Sequence, residues 1–378
     1  MSIKSEHEKR INAYIESNPT ASTGRSHRLV IEGRVVDLEI FRLPIKFLFF
    51  NIENGRFAAD LLTLEKELDR KLDTKNPQDA EMVKRILLDK SPADTKRLKE
   101  DLMSRGQLQP GIITAAGVVI NANRRMAVLM DLYIETADDR YNWLEVVILP
   151  RNVSAIEIYK IEVREQYGED YMADYPAINV LLGIKDGLDK GVPIKELAAL
   201  LGKKEKEVVE HKNQLKLLED YSKYAYGRID YRKIEQEKIT EIITEVEKNI
   251  RKFTNEGRRA PEIKKLLDTQ FEYIKSGCTY RDLRAFGKSA LHPAVVEAYF
   301  DAFAKVRKGT IDPAEFKERI DDVNTSGTGL NKKQQQNKVI EEIFRKIKIF
   351  QDQQVKITPE IRKNLTEISS IITKLLKK

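Results

Sequence analysis

The sequence predicts an α+β chain, with a small mixed-sheet domain at the N-terminal end followed by a mostly α-helical middle and C-terminal region. Three observations carry this reading. Runs of β-branched and aromatic residues are confined to Val35–Phe50, Ile112–Ile120 and Trp143–Leu149, compositions that suit a pleated, half-buried surface. From Ser154 onward such runs vanish, and apolar residues recur at helical spacing. Charged residues make up 34% of the 378 positions, against only 18 Gly and 12 Pro, a balance that favours helix for most of the length.

That length allows two or three domains. Residues 1–34 read as a polar lead-in with one short helix, and 35–152 as the mixed-sheet domain. A helical domain at 153–229 follows, with a helix-turn-helix at 193–218, then a second helical domain at 230–323. The segment Asn324–Gly329 (NTSGTG) reads as a linker, and 330–378 as a basic helical hairpin. In order, Val35–Phe50 predicts two short strands broken at Pro44. Helices are expected at 61–72, 80–89 and 91–104, the last opened by Ser91-Pro92-Ala93-Asp94, a cap, a first-turn proline and an acid at the capping-box position. Strands at 112–114 and 118–120, a helix at 123–133 and a strand at 143–149 complete the domain. Beyond it, helices are expected at 154–167, 176–189, 193–201, 204–219, 231–253, 260–275, 279–286, 292–307 and 312–322.

Composition excludes several classes. A single cysteine, Cys278, forbids an internal disulfide and a cysteine-cluster zinc site, and fits a reducing cytoplasm. The opening residues are polar and lack the apolar stretch of a signal peptide. No run approaches the 18 apolar residues of a membrane span, so no membrane partner is expected. The formal net charge of +7 resides in the region after Leu330, which marks the C-terminal hairpin either as a solvated face or as a surface attracted to nucleic acid or an acidic partner.

The segment from Leu98 to Leu129 has an order with chemical meaning. A helix ends at Gly106, a Gln107-Leu108-Gln109-Pro110 turn leads into a strand, a hairpin leads back, and a second strand runs through Asn121-Ala122-Asn123 into a helix whose first turn holds Arg124 and Arg125. Helix N-termini expose unpaired N–H groups and partial positive charge, and forked guanidiniums match phosphate oxygens. Cations at that end oppose helix stability, so the pair is read either as an anion grip or as partners of nearby carboxylates.

This segment resembles the N-terminal domain of the ParB/sulfiredoxin superfamily. Gly106-Gln107-Leu108-Gln109-Pro110 matches its G-x-x-Q-P box, and Ala122-Asn123-Arg124-Arg125-Met126-Ala127 resembles its G-E-R-R-x-x-A box. Leu43-Pro44-Ile45, then Asn51 and Arg56, resemble its opening motif. The similarity covers about residues 40–150, with an insertion at about 60–90. It implies a nucleoside triphosphate, CTP or ATP, with Mg²⁺, held by Arg56, Gly106, Gln107, Gln109, Pro110, Asn121, Asn123, Arg124 and Arg125. Ala122 stands for the family glycine and Asn123 for its glutamate. No Cys or His occupies this turn, which argues against sulfiredoxin chemistry. In the family, a following helix carries an E-N-x-x-R motif. Here Glu162 falls near its glutamate, with Val163 in place of the asparagine and Glu165 one turn on. Glu162 is the implied metal ligand, and both glutamates are candidate catalytic carboxylates, or else members of an ordinary charged helix.

Residues 193–221 give a helix, a Gly202 turn and a second helix, the helix-turn-helix pattern. Glu196, Ala198, Leu201, Gly202 and Val208 resemble the corresponding ParB motif. Val208, Val209, Leu215 and Leu218 would be the buried side of the second helix. Lys203, Lys204, Lys206, His211, Lys212 and Gln214 are the candidate DNA contacts, while Glu205, Glu207 and Glu210 would repel a phosphate backbone they faced. Apolar stripes at Ile340, Phe344 and Ile347 and at Ile361, Leu365, Ile368, Ile372 and Leu375 make the terminal hairpin a candidate homodimer contact. The resemblance therefore implies a nucleotide-regulated DNA-binding protein of partition, transcription, mobile-element or defence type. The alternatives are a ParB-like NTPase or DNase, and an adaptor whose nucleotide site has degenerated.

Overall fold

The computed structural model describes residues 3–53, 55–166, 176–327, 347–348 and 358–376. The chain forms two compact units, Met1–Arg251 and Lys252–Lys378. Among the described residues, no helix is long and apolar enough to cross a membrane.

The first unit is built on a six-stranded mixed sheet. Its strands are β1 (Ser22–Ile31), β2 (Arg34–Pro44), β3 (Phe49–Phe50), β4 (Gly111–Ile113), β5 (Val118–Asn121) and β6 (Trp143–Ile148), in the order β1-β2-β6-β4-β5-β3. The β3–β5 and β4–β6 pairs are parallel and the others antiparallel. Helix α1 (Ile3–Ser17) precedes the sheet. Helices α2 (Ala58–Leu68), α3 (Pro77–Asp89) and α4 (Pro92–Arg105) lie between β3 and β4, and α5 (Asn123–Thr136) between β5 and β6. Apolar side chains from α2–α5 join Leu43, Ile113, Val119, Leu144 and Val146 in the larger core. The opposite face of the sheet, with Ile40, Ile112, Ile120 and Val147, is covered by Ile161 of α6 (Ala155–Gln166). The other side of α6 contributes Tyr159 and Val163 to a third core shared with α7 (Ala177–Asp189), α8 (Ile194–Leu200) and α9 (Glu205–Tyr226). Helix α6 is thus sandwiched between the sheet and the helix-turn-helix. Helices α10 (Tyr231–Gln236) and α11 (Ile239–Asn255) follow.

The second unit holds α12 (Ala260–Lys275), α13 (Tyr280–Ser289), α14 (Pro293–Arg307), α15 (313–327) and α16 (Pro359–Leu376). Its interior centres on Phe286 stacked against Tyr299, with ring centroids 4.2 Å apart.

Three sequence expectations are corrected. The lead-in at 1–34 contains a ten-residue strand, β1, paired along β2. Only Leu29 and Ile31 of β1 are buried, because it is an edge strand, and its polar alternation hides it. The helix expected at 231–253 is two helices, separated where Lys238 adopts a left-handed φ of 54°. The linker read at 324–329 is helical through Gly327. Asn324 is buried there, its side-chain carbonyl accepting from the Tyr299 hydroxyl and its backbone carbonyl from Ser289 Oγ at 3.0 Å. A polar side chain with buried partners behaves as part of a core. Residues 328–329 and most of the first hairpin helix, including Ile340 and Phe344, lie outside the described residues.

The insertion at about 60–90 has its own anchor. The Asp79 carboxylate accepts two bonds from Arg70, both 2.7 Å, and one from the Asp73 N–H at 2.8 Å. The Arg70 guanidinium first, and the Asp73 amide second, hold its pKa down to about 2. A carboxylate depressed from about 3.9 contributes stability that is present above that value and lost as pH falls towards 2. Asp79→Asn is expected to lower stability in urea unfolding at pH 7 and to converge with the parent at pH 2. Equal loss at both pH values refutes the ion pair as the cause.

Candidate functional site

Strand β5 ends at Asn121, and α5 opens at Asn123. The residue between, Ala122, has φ 91° and ψ 19°, a backbone region in which a side chain is strained by about 1–2 kcal/mol. The turn is held by Asn123, which is only 3% exposed. Its Oδ1 accepts from the Asn51 N–H at 2.9 Å, and its Nδ2 donates to the Val119 carbonyl at 2.7 Å. Gly111 lets β4 press against the same turn, since a Cβ there would sit 3.0 Å from both Ala122 Cβ and the Asn121 carbonyl.

Both arginines of the first turn are half-buried. The Arg124 guanidinium lies 5.6 Å from the centroid of the Phe57 ring, and an Arg125 Nη donates to the Gln109 carbonyl. The Gln-Pro turn and the arginine turn are therefore in direct contact. Gln107 plays a structural part: its Nε2 donates to the Trp143 carbonyl at 2.9 Å and its Oε1 accepts from the Glu145 N–H at 3.0 Å, so its amide continues the sheet ladder onto β6. Gly106, with φ 70°, closes α4. Gln109 is exposed and Pro110 half-buried. Arg56 lies in the Gly55–Phe57 turn, but its side chain is outside the described residues.

Glu162 of α6 is 7% exposed. Its carboxylate accepts from the Gly55 N–H at 3.0 Å and from Asn51 Nδ2 at 3.4 Å. Glu165 accepts from Asn121 Nδ2 at 3.3 Å. Loop 51–57, turn 121–123 and helix α6 are thus joined by one chain of amide and carboxylate bonds. Glu162, with Tyr159 and Lys190, faces two adjacent concavities of 510 and 470 Å³. Arg124 and Arg125 line neither. Lys190 is itself held by Asp186 at 2.5 Å and Glu53 at 3.1 Å. Among the described residues, no three His, Cys, Asp or Glu side chains converge as a metal would require. Mg²⁺ is commonly bound through one or two carboxylates plus phosphate oxygens, so Glu162 fits only as a single protein ligand.

The helix-turn-helix is formed by α8 and α9. Gly202, with φ 62°, makes the turn, and the Lys203 N–H bonds to the Ala198 carbonyl at 2.9 Å. Leu197, Ala198, Leu201 and Val208 pack into the third core, while Val209 is exposed, contrary to its placement on the buried side. The exposed stripe of α9 runs through Glu205, Lys206, Val209, Lys212, Asn213 and Lys216. Lys204 is also exposed, whereas Lys203, His211 and Gln214 are half-buried. Burial, and next the Lys203 ammonium, push the His211 pKa down, which leaves it neutral near pH 7 and unsuited to charge contacts. Two of the feared acids are occupied: Glu207 accepts from the Lys204 N–H at 2.7 Å, capping α9, and Glu210 pairs with Arg251 at 2.5 Å. Asn213 and Lys216, which the sequence reading did not include, share this exposed stripe at helical spacing from Lys206 and Val209.

No protein-family model matches this sequence, and no curated protein matches it.

Asn123→Ala is expected to cost about 2–4 kcal/mol, because the Asn51 N–H and the Val119 carbonyl lose their partner in a buried setting. Ala122→Gly is expected to be neutral or to raise stability by up to about 1 kcal/mol, as relief of strain outweighs added chain entropy. Urea unfolding of both variants measures this. A clear loss in the glycine variant would show that the turn is not strained.

Proposed function

We propose that this chain is a ParB-like, nucleotide-regulated DNA-binding protein. The observation that carries the reading is the left-handed turn at Ala122. It gives a glycine-type backbone at the position where the resembling family has glycine, directly before an arginine pair on a helix N-terminus. Local strain of this kind concentrates where function demands a particular geometry. The phosphates of CTP or ATP would meet the first-turn amides of α5 with Arg124 and Arg125, while Glu162, which faces separate concavities, would hold the loop beside them. Lys204, Lys206, Lys212, Asn213 and Lys216 would meet DNA, the lysines at phosphates and Asn213 at base edges.

Helix α6 supplies the coupling. Glu162 binds loop 51–57 and Glu165 binds turn 121–123, and two residues before Glu162 Lys160 pairs with Glu196 of α8 at 2.6 Å. A ligand that binds differently when α6 shifts would therefore bias the position of the DNA-binding helices.

The test is a thermal-shift screen of CTP, ATP, GTP and UTP with and without Mg²⁺. A ligand at a hundred times its Kd adds about 2.7 kcal/mol. Arg124→Ala is expected to abolish that shift while leaving the ligand-free melting temperature within a degree or two. A nucleotide shift retained in the variant counts against the site, and the absence of any shift in the parent leaves the adaptor reading. Nucleotide turnover and plasmid nicking with Mg²⁺ test the enzymatic alternatives.

The homodimer belongs to the same proposal. Ile361 and Leu365 on α16 are half-buried and Ile368 and Ile372 exposed along one face, an apolar stripe that a second copy would cover. Deleting residues 330–378 is expected to halve the mass measured in solution by light scattering. An unchanged mass rejects this contact.

A further inference from the structure

The exposed face of α13, in the second unit, is a basic surface that the reading above leaves unused. Tyr280, Arg281, Arg284 and Lys288 are all exposed on it. Three- and four-residue spacing aligns the three cations along one side, with axial separations of about 4.5 and 6 Å. Both guanidiniums are oriented by one ring: Arg281 and Arg284 lie 5.8 and 5.5 Å from the Tyr280 centroid, and Arg281 Nε donates to the Tyr280 hydroxyl at 3.2 Å. The helix's own acid, Asp282, is spent on its cap, accepting from the Thr279 N–H at 2.8 Å and Oγ1 at 2.9 Å. At the other end, Lys252 donates to the Gly287 carbonyl at 3.0 Å and Arg258 to that of Ala290. The Lys252 pKa is lowered chiefly by burial, and the Lys288 ammonium adds to the effect.

A polyanion laid along this side would meet all three cations. We propose that this face of α13 is a second DNA contact, which grips the duplex phosphate backbone without regard to sequence. This rests on the DNA-binding reading above. The face carries forked and point-charge donors for phosphate oxygens. Cations laid along the phosphate backbone contribute to affinity and salt dependence.

The experiment is fluorescence anisotropy of the full chain on a random-sequence duplex across a salt series. It compares the parent, the α13 variant R281A/R284A/K288A, and the α9 variant K206A/K212A/K216A. Each lost phosphate contact lowers the slope of log K against log salt by about 0.9, so the α13 variant is expected to lose roughly 2 to 3 in slope. R281K/R284K/K288R, which keeps the charge, is expected to restore most of it, and melting curves confirm folding. An unchanged slope in the α13 variant alongside a loss in the α9 variant overturns this inference and leaves the DNA-binding reading standing. A loss only in the α13 variant supports it and removes the helix-turn-helix from the contact. If the parent shows no salt-dependent duplex binding, both readings fall. If the parent prefers a single strand over the duplex, the duplex assignment falls.

Discussion

Much of the first unit depends on the two hydrogen bonds of the Asn123 side chain. One ties the start of α5 back to its own strand at Val119, and the other reaches across to Asn51. Because Asn123 is buried, neither bond has water as a substitute, and an unmade bond there is costly. The turn must therefore accept whatever backbone angles allow both bonds, and Ala122 takes the left-handed conformation. An aspartate or glutamate at 123 would offer acceptors but no donor for the Val119 carbonyl. Asn123 supplies both a donor and an acceptor to this internal bonding scheme.

The same constraint extends into α6. Asn51 takes its backbone position from Asn123 and presents its side chain to Glu162, while Asn121 presents its own to Glu165. Three asparagines and two glutamates lock a loop, a turn and a helix that are distant in sequence. On its other faces α6 packs Ile161 into the sheet and Tyr159 against α7, where Gly187 makes room for the ring and the hydroxyl donates to the Gly183 carbonyl at 2.8 Å. The helix that completes the candidate nucleotide site is therefore also the support of the helix-turn-helix. A displacement at either end would be felt at the other, because packed interfaces do not deform smoothly.

How much of this was legible in the sequence followed from how locally each signal is written. Helices α3 to α9 and strands β4 to β6 were readable because caps, prolines and apolar period lie within a dozen residues of one another. Strand β1 was not, since an edge strand with two buried side chains carries little pattern. The segment NTSGTG has the composition of a linker, and only the distant Tyr299 and Ser289 turn Asn324 into a core residue. At the candidate site, the bonds that the marked residues make could not be read locally. Gln107 and Asn123 were marked as cofactor ligands because they sit in matching boxes, and both are engaged in internal bonds. Nothing within Leu98–Leu129 states that their partners are Trp143, Glu145 and Asn51.

The electrostatics of α9 show why charge cannot be read residue by residue. Glu205, Glu207 and Glu210 look prohibitive for a helix meant to lie against phosphates. Glu207 is drawn back onto its own cap, where a carboxylate also favours the helix dipole, and Glu210 faces Arg251. That leaves Glu205 alone among three lysines on the exposed stripe. The acids that stabilise the helix and the cations that would serve a partner are thereby sorted to different faces. On α13 the same sorting recurs, with Asp282 folded into its cap and Arg281, Arg284 and Lys288 turned outward. On both helices a first-turn acid, Glu207 or Asp282, is taken up by its own cap, where negative charge favours the helix dipole.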